Sequence, residues 1–424
     1  MSETEASNQL KVNTADLETG MYVARLDRPW TETPFLFQGF FIRGPDELDD
    51  LRRLCRYVYI DLARERSAPE SRRADLARES RTITEVTRLH RAAPRGGAAA
   101  RNRTVYSNAR PLEKELPAAE SAFDDANRAM HELVTKLETE GRLDVQLAMD
   151  TIEPMVESVL RNPDAMIWLT RMKKHNAYMY HHSVGTAIWG IAFARHLGLD
   201  KATLREIGLG CMLFDVGKIK LPHALLSKPG KLNDTEWHVM RNHVDYSLNL
   251  LEGANNVTAR TRELVRSHHE RFDGSGYPDG LKGNQIPTSA KIAGMVDSYD
   301  AITNERPYSH LRSPYEAVRE IYTWRGTLFQ PEVVEQFMQV VGVFPTGSLV
   351  ELNNGSVAVV IAQNETRRLR PRIMLILDEH KQRLQQFSTM DLMFDSHLSG
   401  TDKLMIEKCL EPGAYGVDPE ELYL

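Results

Sequence analysis

The sequence predicts a multidomain protein in which an all-α domain lies between a small N-terminal α+β module and a β-rich C-terminal appendage. Residues 1–63 contain short aromatic runs bounded by Gly, Pro and Thr, which are typical of strands. Apolar residues recur with helical spacing through most of residues 112–344. Further along, Asn353-Asn354-Gly355 separates two apolar runs and indicates a β-hairpin.

The N-terminal module, residues 1–63, combines predicted strands with one predicted helix. Three runs have strand composition: 21–26, 35–42 and 57–61. A short helix is predicted over 45–55, where Leu48, Leu51 and Leu54 recur every three residues. The module resembles a short domain of unknown function that often precedes one family of helical domains. The residues that carry this resemblance are Leu17, Gly20-Met21-Tyr22-Val23, Asp27-Arg28-Pro29-Trp30, Pro34-Phe35, Gln38-Gly39-Phe40 and Ile60-Asp61.

Residues 64–111 form a predicted flexible linker. Positions 64–110 hold twelve arginines, no lysine and five acidic residues. The run Pro94-Arg95-Gly96-Gly97 and the alanines after it cannot build a core. A nucleic-acid-binding arm is the alternative interpretation, but the whole chain has a net charge of −6 and a pI near 6.2. Nucleic acid is therefore not an expected partner.

The central domain, residues 112–344 with its core at 165–344, is predicted to be helical. Six runs show helical spacing: 118–140, 145–160, 182–197, 204–214, 234–251 and 259–268. Gly198 can cap one helix at its C-terminus, and Asn233 or Asp234 can cap another at its N-terminus. The extension, residues 345–424, is predicted to contain strands at 348–352, 356–361 and 372–377.

Composition places the chain among globular proteins of the cytoplasm. Hydrophobic residues make up 42% and charged residues 26%. Cys55, Cys211 and Cys409 are far apart and form no CxxC pair, so neither a disulfide framework nor a cysteine zinc site is expected. The polar N-terminus does not predict a signal peptide. The sequence contains no apolar run of about 18 residues, so no transmembrane helix is expected.

Histidines and aspartates lie near the predicted helix ends and turns. Imidazole and carboxylate are the ligands that Zn, Mn and Fe prefer. An adjacent pair such as His268-His269 is uncommon in a core, because each neutral imidazole needs a partner. Any one of these residues is compatible with a structural role, but as a set they favour a metal site. The set is His182, Asp215, His243, His268, His269 and Asp297.

The motifs over residues 165–345, in this order and spacing, resemble the HD-GYP family of HD-type helical phosphohydrolases. The pieces are His182-Ser183-Val184, Phe214-Asp215-Val216-Gly217-Lys218, Lys228-Pro229-Gly230, Met240, His243, His268-His269-Glu270-Arg271, Asp273-Gly274-Ser275-Gly276-Tyr277-Pro278-Asp279-Gly280-Leu281, Ile286-Pro287, Asp297-Ser298-Tyr299-Asp300-Ala301 and Arg306-Pro307-Tyr308.

The resemblance implies two divalent metals, with Fe or Mn expected. His182, Asp215 and Asp297 would hold one metal, and Asp215 would bridge to a second. The second metal's other implied ligands are His243, His268 and His269. Two adjacent metals suit phosphodiester hydrolysis because they orient the phosphate and activate water.

The family's preferred substrate is cyclic di-GMP, opened to linear pGpG and in some members onward to GMP. Asp215 and Lys218 are the implied catalytic residues, with Lys218 also contacting the phosphate. The implied substrate-binding residues are Lys218, Gly276, Tyr277, Pro278 and Arg306. Tyr277 is expected either to stack on guanine or to hydrogen-bond to the metal site. A signalling-protein partner or a homodimer is also compatible with this class.

The sequence departs from the family pattern where the namesake His-Asp pair reads Phe214-Asp215. Phenylalanine cannot ligate a metal. Tyr178 replaces the glutamate of trinuclear members, so a third metal is not expected, and Phe329-Gln330-Pro331 replaces Phe-Asp-Pro. Two hypotheses follow: an enzyme in which water replaces the lost imidazole, or a degenerate domain that serves as a cyclic di-GMP receptor or interaction module.

Overall fold

The computed structural model describes residues 9–28, 40–42, 45–61, 104–172, 178–304 without positions 229, 253 and 255, 312–364, 369–394 and 404–417. The chain divides into two compact units, Met1–Arg101 and Asn102–Leu424. The predicted linker falls mostly on positions 64–103, which lie outside the described residues.

The first unit is a four-stranded antiparallel sheet with one helix. Its elements are β1 (Gln9–Asn13), β2 (Tyr22–Leu26), β3 (Phe40–Phe41), α1 (Pro45–Leu54) and β4 (Tyr57–Asp61), and the strand order is β1-β4-β2-β3. Leu51 of α1 is buried with Val23 and Val58 of the sheet. The predicted α+β character is confirmed, and β1 is a strand that the sequence patterns did not predict.

Most of the second unit is helical, as predicted. Its helices are α2 (Leu112–Glu140), α3 (Val145–Arg161), α4 (Pro163–Met172), α5 (Tyr178–His196), α6 (Lys201–Leu213), α7 (His223–Leu226), α8 (Asp234–Arg241), α9 (His243–Glu252), α10 (Ala259–Ser267), α11 (Thr288–Thr303), α12 (Pro314–Thr323) and α13 (Pro331–Val341). Gly198 adopts φ +74° just after α5, and Asn233 caps α8, both at the positions expected of them.

One predicted helix is wrong in its extent. The run 234–251 is two helices, α8 and α9, which meet at Asn242. The Asn242 amide donates to the carbonyls of Met240 and Val239 rather than continuing the α-helical pattern. The break makes His243 the first residue of α9, and this position matters for the site.

An aromatic cluster holds the helices that carry the site. Trp189 of α5 packs edge-to-face on Tyr299 of α11, with ring centroids 5.0 Å apart. Phe337 of α13 contacts both rings. All three side chains are buried, and such pairs add about 0.5–1.5 kcal/mol beyond the burial of their area. The cluster therefore fixes α5 against α11.

The C-terminal extension is a five-stranded antiparallel sheet, which confirms the predicted β-rich appendage. Its strands are β5 (Leu349–Leu352), β6 (Val357–Ala362), β7 (Arg372–Leu377), β8 (Arg383–Asp391) and β9 (Ile406–Cys409), in the order β8-β7-β6-β5-β9. The β5–β6 hairpin turns at Asn354-Gly355, where Gly355 has φ +87°. In the described part of the chain, no helix is both long and apolar enough to cross a bilayer.

Candidate metal centre

Five separate elements bring the six predicted metal-ligating residues together. His182 lies in the first turns of α5, Asp215 follows α6, and His243 begins α9. His268 and His269 follow α10, and Asp297 lies on α11. Their donor atoms form two groups, each within 4.8 Å: His182, Asp215 and Asp297, and Asp215, His243, His268 and His269.

Asp215 belongs to both groups. Its Oδ2 lies 3.4 Å from His182 Nε2, and its Oδ1 lies 3.2 Å from His243 Nε2 and 3.9 Å from His268 Nε2. Asp297 Oδ1 lies 3.4 Å from His182 Nε2, and Asp297 Oδ2 lies 3.8 Å from His269 Nδ1. A single carboxylate thus joins two clusters of imidazole and carboxylate donors.

Three of the imidazoles are oriented by acceptors behind them. His182 Nδ1 lies 2.7 Å from Asp300 Oδ2, His243 Nδ1 lies 2.7 Å from the Met240 carbonyl, and His268 Nδ1 lies 2.8 Å from the Val265 carbonyl. Carboxylate and carbonyl oxygens only accept, so each Nδ1 donates and each Nε2 faces the cluster, where a neutral ring offers a lone pair to a metal. No motif had marked Asp300 for this role, although its position one turn after Asp297 was a usable signal.

Burial and charge set the protonation of the cluster. Burial alone would raise the pKa of Asp215, but the Lys218 charge and the neighbouring imidazoles of His182 and His243 hold it well below its usual range. Burial alone would also raise the pKa of Asp297, but the neighbouring His182 and His269 lower it below its usual range. Burial lowers the pKa of His268 to about 4. Ionised carboxylates and neutral imidazoles are the states that bind metal.

Phe214 lies between the two groups of donors. Its ring stacks on His268 with centroids 4.5 Å apart and planes 13° from parallel. The same ring meets His182 edge-on at 5.9 Å. Phe214 is buried, so an apolar wall occupies this side of the cluster.

The Gly-Tyr-Pro loop, residues 273–281 around Gly276-Tyr277-Pro278, is anchored by Glu270. This buried carboxylate accepts from the backbone amides of Asp279 at 2.7 Å and Leu281 at 2.9 Å. A Cβ at Gly276 would lie within 2.5 Å of backbone atoms of His269, Glu270 and Arg271. The loop can pass this close to the histidine pair only because position 276 is glycine.

The remaining predicted site residues lie in three different settings. Lys218 pairs with Asp215 one turn away, and Tyr277 stacks on His269 with centroids 4.6 Å apart. Pro278 is exposed. Arg306 and the side chain of Tyr178 lie outside the described residues.

Fold and site together define an HD-type helical domain. A family model described as an HD domain matches residues 166–333, which include all six cluster residues. A model described as Domain of unknown function (DUF3391) matches residues 9–148, and a KOW domain associated with HD domain matches residues 349–415.

Similar curated proteins show the family to which the chain belongs. It is 34% identical over 367 residues, 86% of this chain and 84% of the relative, to a protein of Pseudomonas aeruginosa named as a cyclic di-GMP phosphodiesterase. A response regulator of Xanthomonas campestris named as a cyclic di-GMP phosphodiesterase is 40% identical over 37% of this chain and 43% of the relative. A 3'3'-cGAMP-specific phosphodiesterase of Vibrio cholerae is 33% identical over 37% of this chain and 30% of the relative. The chain belongs to the HD-GYP family.

Proposed function

We propose that this chain is a metal-dependent phosphodiesterase that hydrolyses cyclic di-GMP to linear pGpG, or onward to GMP, in bacterial second-messenger signalling. The observation that carries the proposal is the shared carboxylate of Asp215, which faces His182 with one oxygen and His243 with the other. The activities named for the Pseudomonas and Xanthomonas relatives support the choice of substrate.

The donor set fits two divalent transition metals. Among the described residues, His243 Nε2, His268 Nε2 and Asp215 Oδ1 are buried without a hydrogen bond. An unsatisfied buried polar atom costs about 1–3 kcal/mol, and a bound cation would remove that cost. Nitrogen and oxygen donors suit Fe or Mn. His182, Asp215 and Asp297 would hold one ion, and Asp215, His243, His268 and His269 the other.

The chain's own residues would position the substrate. When bound, the two metals would polarise the phosphodiester and lower the pKa of the attacking water. Lys218, one turn from Asp215, would place its charge on the phosphate. Water adds to phosphorus, the bond from phosphorus to the 3' oxygen breaks, and a proton from that water ends on the 3' oxygen. Asp300 would keep the His182 imidazole in the required tautomer.

A second candidate function is a cyclic di-GMP receptor without turnover. The observation that favours it is Phe214, whose ring stacks on His268 and offers no donor beside His182. With one imidazole absent, the ion at His182, Asp215 and Asp297 would be bound more weakly than its neighbour. The domain would then bind nucleotide and signal through a partner protein or a second copy of the chain.

Restoring the imidazole separates the two functions. The parent and Phe214→His are each loaded with Mn or Fe, then assayed for metal content and for pGpG formed from cyclic di-GMP. Asp215→Asn serves as the inactive control. Turnover by the parent that Asp215→Asn abolishes supports the enzyme. An inactive parent that Phe214→His activates supports the receptor, and a cluster that binds no metal in either form contradicts both metal assignments.

A further inference from the structure

A cavity opens beside the cluster at His269. Its volume is about 410 Å³, and its walls come from α8 and the Gly-Tyr-Pro loop. Sites for small molecules run from about 300 to 1,000 Å³, so the cavity has room for a nucleotide portion. The residues that matter below are Trp237 and Arg241 of α8 and Tyr277 of the loop.

Helix α8 is unusual because none of its residues is buried. Trp237 is 44% exposed, although Trp is costly to leave in water. Fraying does not explain this exposure, because Asn233 and Glu236 form a capping box and Lys228 pairs with Glu236 at 2.6 Å. A firmly capped helix therefore presents an aromatic side chain at the wall of the cavity.

Tyr277 does not offer the same stacking surface. Its ring packs on His269 at 4.6 Å, and the Arg241 guanidinium lies over it at 5.0 Å. A base could lie on a face of this ring only where neither group covers it. Trp237 makes no ring contact of this kind among the described residues, so its indole is the aromatic surface open to a ligand.

Arg241 lies one turn after Trp237 on the same face of α8. Its guanidinium lies over the Tyr277 ring, and within the described part of the chain no carboxylate pairs with it. Its planar fork can donate two parallel hydrogen bonds to O6 and N7 of guanine, which adenine cannot accept in the same way. An aromatic platform and a paired donor thus lie together in the cavity.

We propose that Trp237 and Arg241 form a guanine-binding subsite, in which the base stacks on Trp237 and Arg241 donates to its edge. The inference deepens the proposed function and rests on it, because the cavity meets the metal cluster at His269. The subsite would hold one base of cyclic di-GMP while its phosphate lies against the cluster. Preference for guanine over adenine would then arise on α8.

The first experiment tests stacking by comparing Trp237→Ala and Trp237→Phe with the control Phe394→Ala. The Phe394 side chain is 70% exposed and lies outside the cavity. Calorimetric binding of cyclic di-GMP to the full chain needs no turnover. Since stacking on an aromatic side chain strengthens binding severalfold or more per base, Trp237→Ala should weaken it about tenfold or more. Trp237→Phe should retain most of the affinity, and Phe394→Ala all of it. Unchanged binding by Trp237→Ala overturns the subsite.

A substrate without a base separates this inference from the proposed function. Bis(p-nitrophenyl) phosphate has a phosphodiester and no purine, so Trp237→Ala should lose less activity on it than on cyclic di-GMP, for which the KM should rise. Equal losses on both substrates would mean a damaged cluster and contradict the subsite. A parent that binds cyclic di-GMP but cleaves neither substrate refutes the enzyme and leaves the binding test decisive. A parent that does not bind it refutes both.

A third experiment tests hydrogen bonding from Arg241 to the base, with the variants Arg241→Lys and Arg241→Gln. Lysine keeps the charge without the fork, and glutamine matches adenine N6 and N7. Both should reduce the preference for cyclic di-GMP over cyclic di-AMP, and Arg241→Gln should reduce it more. If Arg241→Lys binds both nucleotides like the parent, Arg241 acts as a charge alone and the assigned base contact is wrong.

Discussion

Each oriented imidazole of the cluster depends on a specific acceptor behind it. For His243 and His268 that acceptor is a backbone carbonyl, which no substitution removes. For His182 it is the Asp300 side chain, which is buried and packs against Gly185. His182 is therefore the one of these three whose orientation can be altered without changing a proposed ligand.

Asp300→Ala should weaken metal binding at the His182 group. Loss of such an orienting partner typically costs about 10–100-fold in metal affinity or activity. We expect a lower metal content, a higher Mn concentration for half-maximal activity, and recovery at saturating Mn. Asp300→Asn, which keeps an acceptor, should recover part of the affinity.

Asp273→Ala is the matched control for that change, because Asp273 is exposed and its carboxylate accepts from the Ser275 amide at 2.9 Å. It should leave the Mn dependence unaltered. Equal effects of the two alanine variants, or a deficit in Asp300→Ala that saturating Mn does not relieve, would refute a positioning role for Asp300.

The turn that carries Asp215 is packed tightly on α9. The Gly217 amide donates to Ser247 Oγ at 2.8 Å, and Ser247 Oγ donates to the Phe214 carbonyl at 2.8 Å. A Cβ at Gly217 would lie 2.2 Å from the His243 carbonyl oxygen and 2.4 Å from the Ser247 nitrogen. The absence of a side chain at position 217 therefore sets the distance between Asp215 and His243.

Gly217→Ala should displace this turn and cost about 1–3 kcal/mol through overpacking. We expect a lower urea midpoint together with loss of metal binding. Gly141→Ala is the control: Gly141 has φ +69° and open space around it, so alanine there costs about 1–2 kcal/mol of backbone strain alone. Gly141→Ala should keep its metals, and equal metal content in both variants would contradict the packing argument.

A buried carboxylate joins α2 to α3. Glu115 is fully buried and accepts from Ser158 Oγ at 2.9 Å and from Arg161 at 2.8 and 2.7 Å. Glu115→Ala removes the buried acceptor of Ser158 and Arg161 and should cost about 3 kcal/mol by urea unfolding. Glu132, which is 55% exposed and pairs with Lys136, is the control, and its alanine variant should lose less than about 1 kcal/mol. Similar midpoints for the two variants would refute the contribution of Glu115.

Seven of the twelve described helices of the second unit overlap the six runs that sequence patterns predicted. Five of the six helical runs and the Asn-Gly hairpin have counterparts at nearly the predicted positions, whereas the run 234–251 is the two helices α8 and α9. Helices α7, α12 and α13 were not predicted, although α12 and α13 each have an apolar face. Helices α4 and α11 were also missed, and both are buried around most of their surface. Strand β8 was missed as well, since Arg383–Asp391 is largely exposed and polar.

Sequence motifs predicted which residues form the candidate site but not how the side chains around them pack. All six residues converge as the family resemblance implied, whereas their role as ligands stays a prediction. Motifs did not predict Asp300 as an orienting acceptor, the stacking of Phe214 on His268, or the cavity beside α8. Each of these depends on side-chain packing between elements distant in sequence, which spacing along one chain does not encode.

At the scale of the whole molecule, every described site residue lies in the unit Asn102–Leu424. The match to the domain of unknown function ends at residue 148, so it spans the boundary between the two units and includes all of α2. A truncation at the end of that match removes α2, whereas a truncation at the unit boundary keeps it. The two fragments should therefore differ in whether they fold.

The fragment 102–424 should fold and keep its metals and turnover, whereas the fragment 149–424 should not fold. Helix α2 buries Phe123, Met130 and Leu133 at 0–1% exposure. Burying each contributes roughly 1.5–3 kcal/mol, so losing several removes much of a net stability of about 5–15 kcal/mol. Calorimetry should show a single cooperative transition for 102–424 and none for 149–424. A cooperative, metal-binding 149–424 fragment would show that α2 is dispensable to the helical unit, and loss of turnover in 102–424 would assign a catalytic contribution to the first unit.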